Sequence, residues 1–221
     1  MNTKICVPVF EKTAPEVTES AGRAIDAGAD ILEIRIDGLQ NPGEVNIREL
    51  IEDIGFPVIA TNRSPVEGGH FSGSEDERIK LLMAAAEVAD FVDIELSSAR
   101  EDIERVTGSA RRSIVSYHNF RETPSLEALL RIVRMAKEMG DIAKVAVMPE
   151  NLADTLVVLQ LLTFEEDTVA ISMGELGKYT RVAAALFGSP ITFASMGRGT
   201  APGQMDVDVT RKMIGELMPE D

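Results

Sequence analysis

Lys144 lies inside the apolar run Ile142-Ala-Lys-Val-Ala-Val-Met-Pro149. Lysine is seldom fully buried, because an ammonium stripped of water is costly unless it is paired or neutralised. The chemistry that suits a lysine in such a place is imine formation with a carbonyl, since the neutral amine is the nucleophile. An unperturbed lysine is neutral in only about 0.04 per cent of molecules at pH 7, so burial and neighbouring arginines are expected to oppose its charge. A lysine on a strand edge or paired with a carboxylate is the plainer alternative.

Imine chemistry also needs a group that moves protons and contacts that hold the substrate. His118, in Ser116-Tyr-His-Asn-Phe120, is the side-chain type that titrates near neutrality and can both take and return a proton. Glu67 is a candidate to orient its imidazole. Arg35, Arg63 and Arg181 carry planar forks that match a carboxylate or phosphate. The segment Gly197-Arg-Gly-Thr-Ala-Pro-Gly-Gln204 reads as a small-residue lid. His70, in a glycine-rich loop, reads as a solvated residue.

These groups need a frame. Short apolar runs fall at 4–9, 31–36, 57–62, 91–96, 113–118, 142–148, 168–173 and 191–196, and segments of helical period at 15–28, 44–54, 75–89, 99–108, 125–140, 151–163, 175–187 and 207–218. Ser74-Glu-Asp-Glu77 and Ser98-Ala-Arg-Glu101 match the capping box that opens a helix, and Gly28, Gly55, Gly140 and Gly188 sit where helices end. Eight β/α repeats without a linker, over residues 1–221, predict one (β/α)8 TIM-barrel domain. An open doubly wound sheet fits less well, because no glycine-rich turn follows the first strand.

Strand alternation then sorts the side chains. With Leu32, Ile34, Val92, Ile94, Val115, Tyr117, Val145 and Val147 assigned to the helix layer, Glu33, Arg35, Asp93, Glu95, Ser116, His118 and Lys144 point inward. A barrel interior is ordinarily filled by Val, Ile and Leu, so this charge density predicts function. Glu33 and Arg35 would equally satisfy a buried ion pair, and Asp93 and Glu95 suit the anchoring of an arginine or lysine.

A formal charge of −15 with dispersed acids excludes an evident nucleic-acid surface. No segment reads as a membrane span or signal peptide, which predicts a cytoplasmic protein. A lone Cys6 excludes an internal disulfide, and His70 and His118 offer no zinc spacing, so no metal or other cofactor is expected.

Taken together, Glu33-Ile-Arg35-Ile-Asp37, Arg63-Ser-Pro-Val-Glu-Gly-Gly69, Ser116 through Pro124, Lys144 through Pro149, Ile171-Ser-Met-Gly-Glu-Leu-Gly177 through Arg181, and Thr200-Ala-Pro-Gly-Gln204 resemble type I 3-dehydroquinate dehydratases. The resemblance covers nearly the whole chain and implies dehydration of 3-dehydroquinate to 3-dehydroshikimate in the shikimate pathway by a barrel that commonly forms a homodimer. It implies that Lys144 forms the imine, that His118 removes the C2 proton and assists loss of the C1 hydroxyl, and that Glu67 positions His118. Glu33 and Arg35 would then contact ring hydroxyls, Arg63 would line the site, Arg181 would pair with the substrate carboxylate and Gln204 would reach in from the lid. Met173, Phe120 and Phe193 would form apolar walls. Two positions depart from the family pattern: Thr200 replaces a common lid serine, and Asn119 replaces the aspartate that usually follows the histidine. A class I aldolase shares the barrel lysine but lacks a reason for the strand-five histidine, and a non-catalytic carboxylate binder would not need Lys144.

Overall fold

Each predicted apolar run becomes a strand in the computed structural model, which describes residues 3–197 and 199–218. The strands are β1 (Lys4–Val9), β2 (Ile31–Arg35), β3 (Val58–Thr61), β4 (Phe91–Glu95), β5 (Ser113–Asn119), β6 (Ile142–Val147), β7 (Thr168–Ser172) and β8 (Ile191–Phe193). They form one parallel sheet in the order β7-β6-β5-β4-β3-β2-β1-β8. The helices are α1 (Ala14–Asp26), α2 (Ile47–Ile54), α3 (Glu75–Ala86), α4 (Arg100–Ser109), α5 (Leu126–Lys137), α6 (Leu152–Phe164), α7 (Gly174–Gly177), α8 (Thr180–Leu186) and α9 (Val207–Leu217). The result is a nearly closed (β/α)8 barrel. Among the described residues β7 and β8 share no ladder. Helix α8 stitches that seam, with Thr180 Oγ1 accepting from Ser172 N at 3.2 Å and Thr192 Oγ1 donating to the Arg181 carbonyl at 2.6 Å.

Alternation divides the core as the sequence predicts. Leu32, Ile34, Val58 and Ala60 join one cluster beneath the helices, and Val92, Ile94, Val115, Val145 and Val147 join another. The barrel interior holds Cys6, Ile31, Ile59, Phe91, Ile114, Ile142 and Val169. These fill its lower layers and leave the upper interior to polar groups. Reciprocal capping boxes open α1, α3 and α6, through Thr13 with Glu16, Ser74 with Glu77, and Asn151 with Asp154.

Three local expectations are corrected. Ser98 does not cap α4: the cap is Ala99, with no side-chain bond, and the Ser98 hydroxyl accepts from Arg78 Nη2 at 2.9 Å instead. Gly140 is not a left-handed helix end, since α5 stops at Lys137 and is capped by Glu138. Its missing side chain makes room for Val115 Cγ2, which would lie 2.7 Å from a Cβ there. The single helix expected over 175–187 is two. Gly177 packs so closely on β7 that a Cβ would lie 2.2 Å from the Ser172 carbonyl oxygen, and Thr180 Oγ1 takes the Gly177 carbonyl at 2.6 Å. That hydroxyl competes with the helical ladder and ends α7. No described helix is long and apolar enough to cross a membrane.

Candidate active site

The C-terminal mouth of the barrel opens onto a cavity of about 170 Å³. That is below the usual range of about 300–1,000 Å³ for drug-sized ligands and suits a small metabolite. Its floor is set by strand register: β5 pairs Ser116 with Lys144 and His118 with Ala146 of β6, and β4 pairs Glu95 with Ser116.

Lys144 is 5 % exposed. Its Nζ donates to Asp93 Oδ2 at 2.9 Å and Glu33 Oε1 at 3.5 Å, and lies 4.2 Å from the centre of the Phe193 ring. The charged groups that touch the amine are therefore carboxylates, not the arginines expected from the sequence. Arg63 is instead bound on the far side of Asp93: its Nη2 donates to Asp93 Oδ1 at 2.9 Å, and its Nη1 to Glu95 Oε1 at 3.0 Å and Ser116 Oγ at 2.7 Å. Burial alone would raise the Asp93 carboxyl, but Arg63 and Lys144 outweigh it and hold Asp93 far below the usual carboxylate range. Burial would likewise lower Arg63, and Asp93 and Glu95 together raise it above the ordinary arginine value. Asp93 and Glu95 thus anchor cations.

The anchor extends outward to a residue that sequence reasoning missed. Arg78 of α3, 1 % exposed, donates to Glu95 Oε2 at 2.7 Å, to the Asn62 carbonyl at 2.7 Å and to Glu75. The signal was present: Arg78 lies four residues before Leu82 and seven before Ala85, on the buried stripe of its helix.

Glu33 does not pair with Arg35. Thr61 Oγ1 donates to Glu33 Oε1 at 3.0 Å. Arg35 makes a two-pronged bond to Asp37 at 2.8 and 2.6 Å and lies 5.1 Å from the centre of the Phe10 ring. Asp37, quoted in the motif but given no role, also accepts from the backbone amides of Arg63 and His70. It joins the loops after β2 and β3. His70 is exposed, as predicted.

His118 Nδ1 lies 2.8 Å from Glu67 Oε2, which also accepts the His118 backbone amide at 3.0 Å. Ser97 Oγ donates to Glu67 Oε1 at 2.7 Å. Burial raises the Glu67 carboxyl to about 7 against the opposing Ser97 bond and Arg63. Burial, then Arg63 and Lys144, lower His118 well below the ordinary histidine value. Each partner is thereby pushed toward its neutral form. Asn119 turns away from this pair, with its Oδ1 accepting from the amides of Arg121 and Glu122 at 2.9 and 3.2 Å.

Across the cavity, Arg181 is 2 % exposed and has no carboxylate within ion-pair distance among the described residues. Its Nε, Nη2 and Nη1 donate to the carbonyls of Gly203, Pro202 and Phe193 at 2.9, 3.0 and 3.2 Å. Burial lowers its pKa to about 10. The same bonds pin the end of the lid. Gln204 Oε1 accepts from the amides of Thr200 and Ala201 at 2.7 and 3.3 Å, and Gln204 lines the cavity. Thr200 is exposed and lends its hydroxyl to Gln204 at 3.4 Å. Met173, Phe120 and Phe193 supply apolar lining together with Ile171 and Ala146. All twelve predicted site residues therefore border one cavity. Arg198 of the lid lies outside the described residues. Among the described residues no cluster of three or more His, Cys, Asp or Glu side chains could hold a metal ion.

Comparison with known proteins agrees with this geometry. A sequence profile of the family described as type I 3-dehydroquinase matches residues 5–218. The chain is 48 % identical over 212 residues to a 3-dehydroquinate dehydratase of Methanobrevibacter smithii, covering 96 % of this chain and 95 % of the relative. The solved 3-dehydroquinate dehydratase of Geobacillus kaustophilus superposes with a TM-score of 0.89 at 34 % identity, over 98 % of this chain and 91 % of that one. A type I 3-dehydroquinate dehydratase of Clostridium difficile, solved with covalently modified comenic acid, gives 0.89 at 29 % identity, over 98 % and 92 %. With an almost full-length family match and relatives of this similarity, the chain belongs to the type I 3-dehydroquinase family, enzymes that dehydrate 3-dehydroquinate.

Proposed function

We propose that this enzyme converts 3-dehydroquinate to 3-dehydroshikimate through an imine on Lys144. The observation that carries this reading is the placement of a buried amine and a glutamate-held imidazole on adjacent strands, facing one small cavity. Lys144 first gives up a proton. Glu33, 3.5 Å from Nζ and without a guanidinium hydrogen bond among the described residues, is the nearby carboxylate suited to accept it. Nζ then adds to the substrate ketone, and loss of water gives the iminium. With Nδ1 held by Glu67, the other ring nitrogen of His118 takes the C2 proton, now acidified by the iminium, and the electron pair is stored as an enamine. The same proton passes to the C1 hydroxyl, which leaves as water, and hydrolysis of the conjugated iminium releases product and amine. The solved Clostridium difficile relative carries covalently modified comenic acid, which supports a covalent reading.

Arg181 suits the substrate carboxylate. Three of its five N–H donors go to carbonyl oxygens and two remain for an anion. Replacing Arg181 by methionine should raise KM about 30- to 100-fold, the loss typical of a buried charge-assisted pair, with a smaller change in kcat. Steady-state kinetics with 3-dehydroquinate, read as growth of conjugated-enone absorbance, tests both the activity and this assignment. An unchanged KM would remove Arg181 from the substrate site.

The Glu67–His118 pair sets the pH dependence. Below about pH 7 the pair holds a proton on Glu67, and His118 Nδ1 loses its carboxylate acceptor. Activity should therefore fall as pH falls through about 7. In Glu67→Gln that limb should disappear from a lower plateau, and the remaining acid limb should lie well below 6.5, where His118 alone takes up a proton. A pH profile of kcat/KM measures both.

The enzyme is further read as a cytoplasmic homodimer. Its exposed large apolar side chains gather on the α6, α8 and α9 side, among them Leu152, Leu156, Tyr179, Met213 and Leu217, a concentration that favours a protein interface.

A further inference from the structure

The inward face of β4 continues past the end of the strand. Asp93 holds Lys144 and Arg63, and Glu95, two residues on, holds Arg63 and Arg78. Ser97, two residues further, reaches Glu67. The Leu96 amide is still bonded to the Ser116 carbonyl at 2.8 Å, and the Ser98 amide closes a turn on the Glu95 carbonyl at 3.1 Å, with Leu96 and Ser97 between them.

Glu67 itself stands on a loop, in the 3-10 turn Pro65–Glu67 that Ser64 caps. A carboxylate there is free to turn about its last torsion unless both oxygens are held. Oε2 takes the Nδ1 and backbone contacts of His118, and Oε1 takes the Ser97 hydroxyl. We propose that Ser97 is a positioning residue for the general base: by fixing Glu67 Oε1 it holds Oε2 against His118 Nδ1, and so decides which ring nitrogen of His118 faces the substrate. The neighbouring charges do not substitute for it. Arg63 from the β3 end and Glu95 from β4 face Glu67 without a hydrogen bond to it, and their effects on its charge oppose each other. Around His118 stand Arg63, Lys144, Asp93 and Arg35, none of which bonds the imidazole. The Ser97 bond to Glu67 favours the carboxylate form, which is the form that accepts the Nδ1 proton.

This inference rests on His118 acting as the base, and its test is chosen to separate the two. Ser97→Ala, Ser97→Thr, Glu67→Gln and the double variant Ser97→Ala/Glu67→Gln are compared. The His118 ring tautomer is read by nitrogen-15 NMR in the free protein, independently of turnover. In Ser97→Ala the Nδ1-protonated tautomer should lose population, kcat should fall about tenfold with KM within about twofold, and the acid limb should move up from near pH 7 by about half a unit or more. Threonine, whose added methyl can point to solvent from this exposed position, should restore all three. On the Glu67→Gln background, Ser97→Ala should not shift the limb. A Ser97→Ala enzyme with the wild-type tautomer and profile, failure of threonine to rescue, or a full-sized limb shift without Glu67 would each overturn the role. Undiminished turnover in His118→Ala would instead overturn the reading beneath it.

Discussion

Lys144→Met should lose turnover of 3-dehydroquinate by at least about 10⁴-fold, the scale seen when a covalent nucleophile is removed from a machinery that acts as a unit. Methionine keeps an unbranched stem of similar length against Phe193 and removes only the amine. The structure tolerates the exchange because the carboxylates it leaves behind have other donors: Asp93 retains Arg63 and Ser116, and Glu33 retains Thr61. A folded variant by circular dichroism with no enone formation is the expected result. Lys144→Arg should be equally inactive, since a guanidinium keeps the charge and forms no imine. Substantial turnover in either variant would mean that the reaction proceeds without covalent attachment.

His118→Ala carries the second largest effect. Removing a general acid–base group costs typically about 10²–10⁴-fold, and His118 is assigned two proton transfers, so a loss near the upper end is expected in kcat. Imine formation depends on Lys144 and a local proton acceptor, so the variant should still accumulate substrate on the lysine. That separation is informative: a dead enzyme that still binds substrate covalently places His118 after attachment, whereas near-normal turnover would refute its role. Loss of both attachment and turnover would assign His118 to imine formation as well.

How far the sequence alone reaches can be argued from particular residues. The barrel was legible because every strand carries an apolar helix-facing half, and the interior charges followed by subtraction: once Val145 and Val147 face the helices, Lys144 must face in. Cross-barrel partners were not legible. Register sets Lys144 level with Ser116 and Glu95, yet its amine bonds Asp93, one inward layer earlier, because the strands tilt and a long side chain spans layers. Arg78 lay on an apolar stripe but drew no reading from the sequence, and only its contact with Glu95 reveals why it is buried. Ser97 gave no sequence signal at all, since its role depends on a loop 30 residues away folding over the end of β4. The Arg35 partner shows the same limit. Two residues apart on one strand, Glu33 and Arg35 looked like a pair, but Arg35 turns to Asp37 just past the strand, where the backbone leaves the sheet.

The central claim is covalent attachment of the substrate to Lys144. The direct measurement is borohydride reduction of the enzyme in the presence of 3-dehydroquinate, followed by proteolysis and peptide mass mapping. The account predicts a reduced secondary amine carrying the substrate skeleton on the peptide containing Lys144, absent from Lys144→Met and retained in His118→Ala. An active enzyme that yields no adduct, or one whose adduct maps to another lysine, would contradict it.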